Sequence, residues 1–104
     1  MNRIALTMKL KPGCRDEYKR RHDEIWPELA QALRDAGVYD YSIFLDPDTN
    51  VLFAVQKVKD QNHTDQLPDI PIVRKWWAMM ADIMDTNPDH SPVCKDLEEV
   101  FHMD

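Results

Sequence analysis

The strongest constraint in this sequence is the point, near residue 12, where its hydrophobic repeat changes period. Over residues 3–10, Ile4, Leu6, Met8 and Leu10 alternate with Arg3, Ala5, Thr7 and Lys9. A repeat of two puts one set on each face of an extended chain, so this segment predicts a half-buried strand. Pro12-Gly13 ends it. From Cys14 to Ala36 the repeat becomes three and four, through Tyr18, His22, Ile25, Leu29 and Leu33, and Gly37 supplies a helix stop. Pro27 lies inside this run. It has no N–H to donate and its ring crowds the preceding turn, so a kink or two abutting helices is expected near Trp26.

The alternation then returns. Val38–Leu45, with Tyr39, Tyr41, Ile43 and Leu45 on one face, predicts a second strand, and 46–50 (Asp-Pro-Asp-Thr-Asn) is a turn by composition. Val51–Val58 is rich in β-branched residues and predicts a third strand, paired with the second as an antiparallel hairpin. Residues 59–69 form a polar connection. Ile70 to Met84 predicts the second main helix, with Pro71 in its first turn and apolar residues round most of its circumference, so it is covered on more than one side. Residues 85–95, containing Asn87-Pro88 and Ser91-Pro92, predict an ordered loop, and Leu97–Met103 a last strand. The order βαββαβ predicts an α+β fold, ferredoxin-like with an antiparallel sheet, in one domain over 1–104. Helices in that arrangement cover one sheet face only. The other still carries large side chains, which suggests a homodimer packed sheet to sheet.

Charge removes several partner classes. Nineteen acids against thirteen bases give a net −6, and Lys19-Arg20-Arg21 sits among acids, so neither nucleic acid nor an anionic membrane is an expected partner. The opening MNRIALTMKLKP has no signal-like apolar core, and no stretch approaches spanning length, which predicts a cytoplasmic protein. Cys14 and Cys94 lack metal-type spacing and are expected as free thiols. His63, His90 and His102 have no ligand-like spacing either, so no metal is expected, and no glycine-rich phosphate loop or nucleophile elbow implies a cofactor or covalent chemistry.

What remains is acid–base and aromatic. Tyr18 and His22 stand four apart, one helical turn above each other, on the face that continues into Ile25 and Leu29 and so points inward. An imidazole there can give and take protons near neutrality. Alternatively, the two simply hydrogen-bond each other or the backbone within a core. Trp76 and Trp77 diverge by ~100° round their helix, so one packs inside while the other lines a cavity or an interface. Indole faces suit the C–H-rich faces of sugars, though packing alone would also explain the pair. Tyr41 could bring another hydroxyl to a pocket between sheet and helices; period two does not choose between it and Tyr39. The 87–92 loop has the composition of a rigid rim.

Read together, these segments resemble the L-rhamnose mutarotase family from end to end. The resemblance is carried by Tyr18-Lys19-Arg20-Arg21-His22 and Ile25-Trp26-Pro27-Glu28-Leu29; by Tyr41 and Leu45-Asp46; by Lys75-Trp76-Trp77 with Met80, Asp82 and Met84; and by Asn87-Pro88-Asp89, Ser91-Pro92-Val93 and Val100-Phe101. It implies ferredoxin-like subunits paired into a dimeric α/β barrel that interconverts the α and β anomers of L-rhamnose without cofactor or metal. By position it implies His22 as proton donor, and Tyr18, Tyr41, Trp76 and Trp77 as sugar contacts. His90 departs from the Asn expected in that loop, which bears on affinity or pH response rather than on the chemistry. The base is open among Tyr18, a carboxylate such as Asp23 and a bound water. Small α/β barrels also host oxygenases, and a plain sugar-binding module would use the same aromatics, so fold alone does not settle the activity.

Overall fold

The computed structural model describes residues 2–104. Its elements run β1 (Asn2–Lys9), α1 (Arg15–Asp23), α2 (Pro27–Asp35), β2 (Val38–Asp46), β3 (Val51–Val58), a 3-10 turn over Thr64–Asp69, α3 (Pro71–Met80) and β4 (Lys95–Leu97). The strands form one sheet in the order β2-β3-β1-β4, with every neighbouring pair antiparallel. This is the ferredoxin-like α+β arrangement. The helices cover the face bearing Met8, Leu10, Leu52 and Ala54, all buried, and seal it with Leu29, Val73, Trp76 and Met80. Leu10 and Leu52 are fully enclosed, and each such side chain contributes ~1.5–3 kcal/mol relative to exposure.

Pro27 breaks the first helical run as expected. It cannot join a helix interior, but its fixed φ suits a first turn, so it opens α2 while α1 closes at Asp23. In α1, Asp16 and Glu17 lie in the first turn and Arg20, Arg21 and His22 in the last, complementing the helix dipole at both ends. The break leaves Ile25 outside α1 and 36% exposed at the cavity wall, whereas helical spacing placed it in the interior with Tyr18 and Leu29. Gly37 ends α2 with φ 100°, and a Cβ there would come within 2.9 Å of the Asn62 Cβ.

Three boundaries differ from the sequence reading, each for a physical reason. The helix expected over 70–84 stops at Met80, because the chain swings to the end of β1: Lys11 N–H donates to Ile83 O, Asp85 N–H to Lys9 O, and Met84 bridges Leu10. The last strand is Lys95–Leu97 and not 97–103, and Lys95 therefore leaves the loop for the sheet. Glu98-Glu99 followed by Val100-Phe101 offers two acids and then two apolar residues, with no alternation for a strand to use. Finally, β2 contains a bulge between Tyr39 and Ser42. Tyr39 pairs with Lys57 and Ser42 with Val55, so two residues face Gln56 alone. Asp40 is the extra residue, at φ 50°. The slip separates Tyr39 from Tyr41, Ile43 and Leu45, which strict alternation had put together.

Candidate active site

A cavity of about 900 Å³ opens between the covered sheet face and the helices, at the upper end of the usual range for small-molecule sites. Tyr18, His22, Tyr41, Trp76 and Trp77 all line it, so the structure brings together every residue that the sequence singled out for a site.

Tyr18 and His22 stack as the four-residue spacing requires, with ring centroids 4.2 Å apart at 30°. His22 Nδ1 lies 3.0 Å from Tyr18 O. A carbonyl only accepts, so Nδ1 carries the hydrogen and donates it. That fixes the tautomer and leaves Nε2 as the ring's free nitrogen. The imidazole is also held edge-on to Trp76, at 5.4 Å and 88°, and Trp76 in turn stands edge-on to Trp26 at 5.1 Å and 89°. Trp76 is therefore the packing member of the pair, 7% exposed, while Trp77 is half-buried on the cavity wall.

Burial sets the electrostatics of these groups. It lowers the His22 pKa from its ordinary value, opposed by the bond to the Tyr18 carbonyl and by Asp23. It holds the Tyr18 phenol far above the tyrosine range, reinforced by the neighbouring Tyr41. The Tyr41 phenol is pushed up to about 12, mainly by burial and further by Cys94. Tyr41 is nonetheless 41% exposed, so part of its surface stays open to solvent. Both phenols thus stay protonated at neutral pH and present O–H groups to a ligand. Tyr41 owes its place to the bulge, because without the extra Asp40 the alternation from Tyr39 would run through to it on the opposite face. Tyr39 sits under Lys59, whose Nζ is 5.0 Å from its ring centre.

Arg21, which the sequence reading did not single out, positions the site. Its guanidinium donates two bonds to the Asp82 carboxylate, at 2.8 and 3.1 Å, and one of 2.9 Å to the Met79 carbonyl. This clamps α1 to the end of α3 and satisfies a carbonyl that the stopped helix leaves open. The signal was present: Arg21 is three after Tyr18 and four before Ile25, on the inward side. Its side chain is 14% exposed against 58% for Arg20.

The 85–93 loop forms the rim. Asn87 N–H donates to Ser91 O, His90 N–H to Asn87 O and Asn87 Nδ2 to Ser91 Oγ, while Asp89 accepts from Ser91. This network holds His90 at φ 71° on the cavity wall. Asp23 also lines the cavity, but its carboxylate is tied to Lys19 at 2.8 Å. His63 and His102 lie outside the cavity lining, and both cysteines are unbridged.

A ferredoxin-like sheet with helices on one side, enclosing an imidazole, two protonated phenols and an indole wall, defines an α+β protein with a cavity of small-molecule size lined by proton-carrying and aromatic groups. Residues 3–103 match the family model described as L-rhamnose mutarotase. An L-rhamnose mutarotase of Phocaeicola vulgatus is 58% identical over 104 residues, covering all of both chains. One from Paraburkholderia phytofirmans is 55% identical over 99% of this chain and 96% of its own. The crystal structure of L-rhamnose mutarotase from Formosa agariphila superimposes with a TM-score of 0.93, at 54% identity and full coverage of both chains. A conserved protein of Methanosarcina mazei, 14% identical with a TM-score of 0.61 over 93% of this chain and 90% of its own, shares the fold alone. The chain belongs to the L-rhamnose mutarotase family.

Proposed function

We propose that the protein interconverts the α and β anomers of L-rhamnose, with His22 as proton donor and Tyr18, Tyr41, Trp76 and Trp77 as sugar contacts. The observation that carries the chemistry is the bond from His22 Nδ1 to the Tyr18 carbonyl, which reserves Nε2 for the ligand.

Mutarotation opens a cyclic hemiacetal, rotates the aldehyde and closes it again. Protonated Nε2 gives its proton to the ring oxygen as the bond from the anomeric carbon to that oxygen breaks, the electron pair leaving with the oxygen. The anomeric hydroxyl loses its proton, and its O–H pair becomes the carbonyl bond. Rotation and the reverse steps return both protons, so nothing is consumed. General acid–base assistance of this kind contributes ~10²–10⁴-fold. The high pKa of Tyr18 removes it as the base and leaves it a donor to sugar hydroxyls, so the base is a carboxylate or a bound water. The lowered pKa of His22 eases delivery of the proton, since a weaker imidazole base is a stronger imidazolium acid.

The same reading makes the protein a cytoplasmic homodimer, which suits its two unbridged thiols and the sheet face that no helix covers. That face exposes Phe44 at 63%, Phe53 at 37% and Leu97 at 40%. Saturation transfer between the anomeric protons of L-rhamnose tests the activity: the protein at catalytic concentration is expected to accelerate exchange between the two signals. Exchange no faster than in buffer would sink the reading.

A further inference from the structure

The break between α1 and α2 does more than end a helix. A residue ahead of proline is pushed out of the helical region, because the proline ring crowds its N–H and Cβ. Trp26 obeys, with φ −64° and ψ 129°, and stands as the N-cap of α2. Its carbonyl accepts the Ala30 N–H at 3.1 Å, and the Ile25 N–H donates to His22 O at 3.1 Å, so the backbone is tied on both sides of the turn. The half-buried Trp26 ring meets α3 edge-on at Trp76. Trp26 itself lies outside the cavity lining.

Three contacts hold the His22 imidazole: the Tyr18 ring, the Tyr18 carbonyl and the Trp76 ring. The first two belong to α1 and travel with it. Trp76 belongs to α3, the helix that also carries Trp77, so it is the contact that fixes the imidazole against the opposite wall of the cavity. An edge-on ring pair is directional, since the positive edge of one ring meets the negative face of the other. Trp76 can hold His22 at 88° only while its own plane is held, and the 89° contact with Trp26 holds it.

We propose that Trp26 is a positioning residue: through Trp76 it aims His22 Nε2 at the ring oxygen of the sugar, and Pro27 is what points Trp26 at Trp76. This rests on the mutarotase reading above and adds to it a residue that never touches the ligand.

Removing the Trp26 ring costs aim and not binding. Trp77 keeps its place on α3 and Tyr41 its place on β2, so the sugar meets the same wall. A reacting group displaced by ~1 Å loses up to ~10²-fold in rate. Because Trp26 is absent from the lining, that loss falls on kcat, while KM stays close to the parent.

Saturation transfer between the anomeric protons of L-rhamnose, run at several sugar concentrations, tests this with Trp26→Leu, Trp26→Met and Trp26→Phe. The two variants without a ring are expected to keep the parental far-UV circular dichroism, to lose ~10–10²-fold in kcat and to change KM by less than ~3-fold. Trp26→Phe keeps an aromatic ring for Trp76 and should stay within ~3-fold of the parental kcat. A second readout follows the imidazole itself. The His22 Cε1–H signal, shifted in the parent by the Trp76 ring, should move in Trp26→Leu and return in Trp26→Phe, while its nitrogen shifts keep the Nδ1–H tautomer. A folded ring-free variant with parental kcat overturns the proposal, and so does a fall in kcat with the His22 signal unmoved. A KM that rises as far as kcat falls makes Trp26 a shaper of the cavity and overturns it, as does a Trp26→Phe as slow as Trp26→Leu. Loss of the folded spectrum in both ring-free variants places Trp26 in the core alone and overturns it too. A parent that does not accelerate exchange overturns the mutarotase reading, and the His22 signal then still decides whether Trp26 holds the imidazole.

Discussion

Replacing His22 by Ala separates proton transfer from sugar binding. In the structure the imidazole touches the Tyr18 ring at 4.2 Å and the edge of Trp76 at 5.4 Å, and holds one bond to the Tyr18 carbonyl. Its loss removes one ring contact pair and one hydrogen bond, worth ~1–2 kcal/mol of stability together, too little to unfold a domain stabilised by ~5–15 kcal/mol. The cavity walls formed by Trp77, Tyr41 and Tyr18 remain, so the KM for L-rhamnose should rise less than ~10-fold, the equivalent of one ordinary hydrogen bond. The catalysed rate should fall far more. Without Nε2 the ring oxygen must take its proton from water, and the ~10²–10⁴-fold of general acid catalysis is lost from kcat. Saturation-transfer NMR at several sugar concentrations resolves the two parameters, and intrinsic tryptophan fluorescence follows binding independently. A folded variant whose kcat stays within ~3-fold of the parent would refute the assignment, since an acid worth so little is below the range of general catalysis.

Tyr41→Phe removes only a hydroxyl that stays protonated to about pH 12; KM should rise ~3–10-fold with kcat nearly unchanged, read in the same NMR assay. Arg21→Ala cuts the clamp to Asp82 and Met79. The Asp82 end is largely exposed and screened, so the loss should be ~1–2 kcal/mol in urea unfolding, with a fall in activity as α1 loosens. Burial lowers the His22 pKa below 6.5, so the unfolded chain binds a proton that the folded chain resists. Stability should therefore rise with pH from the lowered pKa up through ~6.5, at no more than ~1.4 kcal/mol per pH unit. Urea midpoints across that window should show a shallower slope in His22→Gln than in the parent.

The elements that were legible in the sequence are those whose signal is local. Ile4 to Leu10 announce β1 by alternation, Pro27 announces the break between α1 and α2, and 46–50 announce the hairpin turn. The vertical stacking of Tyr18 and His22 follows from helical geometry alone, which is why that part of the site was readable. What escaped depends on contacts between distant residues. Met80 ends α3 because residues 83–85 find backbone partners at Lys9–Lys11, some seventy positions away, and no helix propensity records that. Arg21 was hidden among three consecutive cations that differ in burial and not in type. The strand expected over 97–103 failed because apolar composition was read as alternation, although Val100 and Phe101 are adjacent. The bulge in β2 was invisible because Tyr39, Tyr41, Ile43 and Leu45 satisfy strict alternation on paper.

That bulge makes Asp40 a spacer in the reading frame of the sheet. The residues on either side of it keep count from opposite ends of the strand, and the two counts disagree by one. Tyr41 belongs to the count that starts at Leu45, Tyr39 to the one that starts at Val38. Grafting β2 into another sheet by matching its hydrophobic positions from the N-terminal end would therefore put Asp40 on the covered face and turn Tyr41 away from the cavity. The graft keeps Tyr41 on the cavity wall only if the frame is set from the hairpin turn, with the odd residue left unmatched.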